Sequence, residues 1–241
     1  MLGTANKRTP PVQGAKYVRA PRPVHFPVEA EVPETKRHLL LRTALFQIVQ
    51  RLVAGRYAVG SEQFVYWNGS DPQRSLAPDV FVSTLQPDSV FDTWKTWERG
   101  APQLAVEIVS ESDSSEGSWT RKLERYQEAG IDEVVRFHPF AEPGRRLRVW
   151  DRVDDDLVER VVSQERARCE TLDAWWCVRE ERGLGAALRL STDAGGQALV
   201  LTPAEAAEQE AKLREQESVS REAAERRVAE LEAELEGLRR R

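Results

Sequence analysis

The stretch LAVEIVS, residues 104–110, sets a glutamate inside a run that otherwise reads as strand core. Strict alternation puts Leu104, Val106 and Ile108 on one face and Ala105, Glu107 and Val109 on the other. Glu107 therefore points into a layer of its own, and none of its immediate neighbours is cationic. A carboxylate moved into an apolar layer costs several kcal/mol unless something positive meets it. That partner has to come from elsewhere in the chain.

Downstream, the polar loop ESDSSEG (111–117) leads to Ser118, which suits an N-cap, and Gly130 suits the C′ position of a helix over 119–129. On that helix Trp119, Leu123 and Tyr126 form the apolar stripe, with Lys122 along its edge. EVVRF (133–137) is the next strand, so strand, helix and strand follow one another as in a crossover unit. Upstream, APDVFVS (77–83) reads as a strand that carries Pro78 at its first position, where the missing N–H does little harm, and Asp79 at its mouth. Between the two strands Phe91, Trp94 and Trp97 recur every three residues and suggest a short amphipathic helix packed on the body.

Farther out, His38, Leu41, Leu45, Ile48 or Val49, and Leu52 fall at helical spacing, predicting a helix over 34–54 that ends at Gly55. His38 lies on its buried face, as a hydrogen-bonded core residue more readily than a ligand. FVYW (64–67) reads as a strand and NGSDP (68–72) as the turn after it. RLRVW (146–150) and LVERVV (157–162) flank the acidic turn DRVDDD, whose aspartates lack the spacing and glycine of a calcium loop. ALRL (187–190) and ALVL (198–201) read as a closing hairpin around STDAGG. TPAE (202–205) is a capping box with proline at the first helical position, and Glu, Ala, Arg, Leu and Gln dominate from there to Arg241. Val228, Leu231, Leu235 and Leu238 alternate spacings of three and four, the seam of a coiled coil that would pair two copies of the chain as a homodimer. Upstream the seam degrades to Ala224, Arg221 and Glu217, so a lone charged helix laced by i,i+4 pairs competes with a dimerising one.

The composition supports three regions: a basic, Pro-rich arm over 1–32, a core over 33–201 and a charged helix over 202–241. Across 241 residues a hydrophobic fraction of 40% and seven tryptophans argue for a folded core, and 31% charged residues imply a heavily solvated surface or a polar extension. The arm carries Lys7, Arg8, Lys16, Arg19 and Arg22 with no acidic residue among residues 1–25, and its prolines keep it extended; it is expected to be disordered, or to follow a phosphate backbone. No apolar stretch approaches the roughly 18 residues needed to span a bilayer. No secretory h-region is visible, and Cys169 and Cys177 fit no zinc or CxxC pattern, so a cytoplasmic protein with reduced thiols is expected.

Asp79 on one strand, Glu107 on the next and Lys122 on the following helix belong together. Neighbouring strands lie roughly 5 Å apart, so their carboxylates can converge. Convergent carboxylates repel unless a cation sits between them, and oxygen ligands suit Mg²⁺, which keeps several waters. A lysine within reach would orient the attacking water of phosphodiester hydrolysis or stabilise developing negative charge. The alternative is a buried ion pair between Glu107 and Lys122, and spacing leaves both open.

APDVFV, then LAVEIVS, then KLERYQEAGIDEVVRFHP resembles the Uma2 family, formerly a domain of unknown function, within the PD-(D/E)XK restriction-endonuclease-like superfamily. The likeness covers roughly residues 30–190. Its most specific part is an ordered set: PD, ExxS, Lys with Tyr four residues on, AG, and a strand ending in proline. The resemblance implies an α/β (α+β) fold, a mixed β-sheet flanked by helices, here with a long C-terminal helix, and metal-dependent cleavage of nucleic acid. Asp79 matches the aspartate of PD and Glu107 the glutamate of the ExK element, both as ligands of Mg²⁺ or Mn²⁺; Lys122 matches the lysine that this family carries on the following helix, Val109 occupying the usual place. Glu34 is a further candidate acid at the start of the first helix. Two departures stand out: Ser118 where many relatives have an aspartate, which thins the acidic cluster, and His138 before Pro139 where they have Asp-Pro. The expectation is a Mg²⁺-dependent endonuclease acting on DNA through Asp79, Glu107 and Lys122. The alternative is an inactive nuclease-fold protein that acts in nucleic-acid binding or assembly through its C-terminal helix.

Overall fold

The computed structural model describes residues 24–26, 34–110 and 116–240. Of the expected N-terminal arm, only 24–26 falls among them. The elements in chain order are α1 (Lys36–Val53), β1 (Ala58–Gly60), β2 (Val65–Tyr66), β3 (Ser75–Leu76), β4 (Val80–Ser83), β5 (Trp94–Lys95), α2 (Thr96–Arg99), β6 (Leu104–Ile108), α3 (Glu116–Ala129), β7 (Glu133–Phe137), β8 (Leu147–Val153), β9 (Asp156–Arg160), β10 (Arg166–Cys169), β11 (Ala174–Glu181), β12 (Gly185–Ser191) and α4 (Pro203–Arg239).

A six-stranded sheet ordered β1-β4-β6-β7-β8-β9 forms the middle of the molecule. Every pair in it is antiparallel except β6 with β7, the pair joined by α3. That one parallel step is the predicted crossover. On one face Leu104, Val106 and Ile108 pack with Val80 and Val82, with Leu41, Leu45, Ile48 and Val49 of α1, and with residues of the three-stranded sheet β10-β11-β12. On the other face Ala105, Val134 and Trp150 meet Trp119, Tyr126 and Ala129 of α3. The sheet is thus covered on both sides, and the alternation read from LAVEIVS separates the two layers.

A smaller aromatic cluster steadies the start of the sheet. Trp94 is fully buried, its ring lying 5.6 Å from Phe81 and 5.1 Å from Phe91, and its Nε1–H donates to the Gly100 carbonyl at 2.8 Å. Phe81 pairs with Gly60 across β4 and β1, and a Cβ at Gly60 would run into the Phe81 ring. The glycine lets the ring lie over the neighbouring backbone.

Three sequence expectations are corrected. Phe91, Trp94 and Trp97 do not share a helix: Trp94 lies in β5, which pairs in parallel with β2, and only Trp97 lies in the four-residue α2. Phe91 and Trp94 converge on Phe81, whereas the Trp97 ring lies against Phe26, so the recurrence marks no helical face. Ser118 is not an N-cap, because α3 already begins at Glu116, an acidic residue favoured in a first turn. ALVL forms no strand; Leu199 alone bridges Ser191, and β12 pairs with β11 instead. Here the Asp193 carboxylate takes the N–H groups of Gln197 and Ala198, which a hairpin ladder would otherwise use.

α1 begins two residues later than the spacing suggested, with the Thr35 hydroxyl accepting from the His38 N–H at 3.2 Å. It ends on Ala54 in the left-handed region at φ 49°, ahead of Gly55 at φ 76°. The capping box at the start of α4 forms as read, Thr202 and Glu205 satisfying each other's backbone N–H groups. Glu205 also clasps Arg189 of β12 at 3.0 and 2.8 Å, and Arg189 in turn bonds Glu181 and the Val200 carbonyl. Beyond that first turn the described side chains of α4 are exposed, Val228, Leu231, Leu235 and Leu238 included. No described helix is long and apolar enough to cross a membrane.

Candidate active site

The register of β4 against β6 decides which polar residues meet. Val80 stands opposite Val106, so Asp79 and Glu107 occupy the next step along the same antiparallel pair. Both are buried, at 6% and 4% exposure. Asp79 is fixed by two contacts: its Oδ2 accepts the Ile108 N–H at 2.7 Å, and its Oδ1 lies 2.6 Å from His38 Nε2. The hydrogen bond to Asp79 holds the His38 imidazolium above its usual range, against the pull of burial.

Glu107 is met from α3. Lys122 Nζ donates to its Oε2 at 2.6 Å, and the buried Tyr126 hydroxyl donates to its Oε1. Lys122 and Tyr126 lie four residues apart and so on one face of the helix, which explains how a single element supplies both groups. Burial pushes the Glu107 carboxyl above its ordinary value; Lys122 pulls it down, and the nearby Asp79 charge pushes it up again. Burial, together with the facing Glu107, pushes the Tyr126 phenol well above its ordinary value and keeps it a donor.

The three residues singled out by sequence therefore come together. In the structure the protein groups that meet Glu107 are Lys122 and Tyr126. Two mutually repelling carboxylates, both desolvated, are also the donor chemistry that suits a hard divalent ion. Among the described residues no three His, Cys, Asp or Glu side chains form a metal-holding cluster. An ion here would rest on two carboxylates and complete its shell with water, as Mg²⁺ commonly does.

Glu34 stays at the edge. Its carboxylate is gripped by Arg42 at 3.0 and 2.9 Å and comes no nearer than 3.8 Å to His38, as an ion pair. His38 is the hydrogen-bonded buried residue that the helical spacing suggests, and Tyr126 is the tyrosine four residues after Lys122, but the sequence gives neither a partner at the site. Tyr126 looked like one more residue of an apolar stripe, and the link between His38 and Asp79 spans 41 residues, beyond any local pattern. A cavity of about 190 Å³ adjoins this corner, lined by Arg37, His38, Ile108, Ser110, Pro139 and Phe140.

A mixed sheet between helices, with an aspartate and a glutamate at matched positions on adjacent strands and a lysine on the crossover helix, is the arrangement expected of a restriction-endonuclease-like protein. Residues 28–180 match the Uma2 family, whose description reads "Putative restriction endonuclease". The match spans more than half of the chain, and the chain belongs to that family. Among solved structures it is similar to a crystal structure from Anabaena variabilis described as "a putative nuclease belonging to DUF820", at 16% identity and a TM-score of 0.36, over 50% of this chain and 70% of that one. No curated protein matches the sequence.

Proposed function

We propose that the protein is a metal-dependent endonuclease that hydrolyses phosphodiester bonds, of DNA, in the cytoplasm. The observation that carries this reading is the single cluster formed by Asp79, Glu107 and Lys122, with Lys122 Nζ 2.6 Å from Glu107. Asp79 and Glu107 would hold Mg²⁺ or Mn²⁺, which when bound polarises a phosphoryl oxygen and lowers the pKa of a coordinated water. Asp79 keeps one oxygen on the Ile108 N–H and the other toward His38, so its carboxylate is positioned before any ligand arrives. Tyr126 fixes the Glu107 carboxylate from behind, and Lys122, partly exposed, brings an ammonium to the edge where an attacking water or a developing oxyanion would lie.

Purified wild-type protein is expected to relax supercoiled plasmid with Mg²⁺ or Mn²⁺ and to stop in EDTA, while Asp79→Ala leaves the plasmid supercoiled under both conditions. Equal cutting by wild type and variant would refute the assignment and assign the activity to a contaminant. An intact chain that gains no thermal stability from either ion would instead favour the inactive, assembly-type reading.

The exposed Val228, Leu231, Leu235 and Leu238 motivate a homodimer along the last turns of α4. Light scattering is expected to give twice the chain mass for wild type and the single mass for Leu231→Lys/Leu235→Lys; a monomeric wild type removes the dimer without touching the active site.

A further inference from the structure

The row of the sheet that holds the two carboxylates continues into two arginines. Glu107 of β6 stands beside Arg136 of β7, and Arg136 beside Arg148 of β8. Directly paired residues share a face, so the row reads acidic, acidic, basic, basic across four adjacent strands. Each guanidinium rests on a tryptophan of the same layer: Arg136 lies 5.1 Å from the Trp119 ring centre and Arg148 4.8 Å from that of Trp150. Stacking of this kind holds the planar group in place.

Both guanidiniums reach one acceptor through Nη1, while the Nε and Nη2 edge of Arg148 is held by Glu159 at 2.8 and 2.7 Å. Arg136 Nη1 donates to Glu116 Oε1 at 2.8 Å, and Arg148 Nη1 reaches Glu116 Oε2 at 3.2 Å. Glu116 itself is 69% exposed, in the first turn of α3, whereas the Arg136 side chain is 4% exposed. Arg136 Nε is buried with no hydrogen-bond partner among the described residues. A buried arginine is costly to retain for the sake of a solvated surface carboxylate. A carboxylate gripped by two guanidiniums also has the charge and acceptor geometry of a phosphate.

We propose that Arg136 and Arg148 form a binding site for a backbone phosphate of nucleic acid beside the carboxylate pair, and that Glu116 occupies it until nucleic acid displaces it. The site lies one and two strands from Glu107, roughly 5 and 10 Å by ordinary strand spacing, so the phosphate it holds is a neighbour of the scissile one. Glu116 is then an internal competitor that weakens binding to any nucleic acid unable to replace both of its contacts. The identity of the ligand rests on the nuclease reading; the arginine pair and its carboxylate plug do not.

Anisotropy of a short labelled DNA duplex, measured in EDTA so that cleavage plays no part, tests the site. Glu116→Gln is expected to tighten binding about three- to tenfold, the release of one charge-assisted competitor. Arg148→Ala is expected to weaken it by a similar factor and to reduce the slope of log affinity against log salt by about one. In Glu116→Gln/Arg148→Ala the gain from the first change should disappear. Arg136→Lys, which keeps the charge and loses the fork, should weaken binding while leaving the salt slope unchanged, and its thermal melt controls for folding. Unchanged or weaker binding by Glu116→Gln, or no measurable binding by either protein, overturns the proposal whether or not the wild type cuts plasmid. The expected pattern without any metal-dependent cleavage would keep the phosphate site and discard the nuclease.

Discussion

Glu107→Gln is expected to abolish cleavage, by about a thousandfold or more, while leaving the protein as stable as the wild type within about 1 kcal/mol. Glutamine keeps the shape and can still accept the Tyr126 hydroxyl, but it offers no negative charge to an ion. It also removes a charge that burial disfavours, since the Glu107 carboxyl is pushed up from its ordinary 4.5 chiefly by desolvation. Lys122→Met should lose activity to a similar degree and, unlike Glu107→Gln, should cost about 2–4 kcal/mol at neutral pH, because it leaves the carboxylate buried without its cation. The pH dependence carries the sign. A carboxyl with a raised folded pKa stabilises the fold most when protonated, below 4.5, and that contribution is lost as pH rises through the folded value. Losing Lys122 raises the folded value further, so the gap between Lys122→Met and wild type should narrow as pH falls toward 4.5. Urea unfolding at several pH values reads this directly, and Glu107→Gln/Lys122→Met should recover most of the loss. Retained cleavage in Glu107→Gln, or a gap that ignores pH, would mean the pair is neither catalytic nor coupled as described.

The largest loss of stability is expected at Trp94. Trp94→Ala should cost about 3–5 kcal/mol, the usual range for deleting a fully buried aromatic side chain. It empties the space between Phe81 and Phe91 and leaves the Gly100 carbonyl without its Nε1–H donor. Trp94→Phe keeps one ring and loses the donor and part of the buried volume, for about 1–3 kcal/mol. The effect should reach the chemistry. Phe81 is two residues beyond Asp79 on β4, and the cluster pins the strand that presents the aspartate. Cleavage by Trp94→Ala should therefore fall off at a lower temperature than that of Trp94→Phe. An urea midpoint unchanged in Trp94→Ala would show that the cluster does not hold the sheet.

The parts of this molecule that could be read from sequence are those whose physics is local. Alternation in LAVEIVS gives two faces, and the structure assigns those faces to two separate core layers. The capping box of α4 needs only Thr202 and Glu205. The strands β10 and β11 escaped because RARC and AWWCVREE mix charges and tryptophans without a clean period, their pairing being set by the long ladder with β12. Trp94 misled because every-third spacing of rings occurs equally on a helix and around a cluster. At the site, residue types and order pointed to Asp79, Glu107 and Lys122, but nothing local reveals that Tyr126 turns its hydroxyl to Glu107 or that His38 reaches Asp79. Arg136 was hidden in plain view within EVVRF, where its charge gains meaning only once β7 lies beside β6.

The clasp of Arg189 on Glu205 has a mechanical side. It grips α4 at its first turn, and the 37-residue helix runs on from there for roughly 55 Å at ordinary helical rise. A stiff rod fixed at one end converts a small rotation at its root into a large sweep at its tip. Whatever holds the far turns of α4 therefore sets how far the folded body can travel, as a tether of fixed length would.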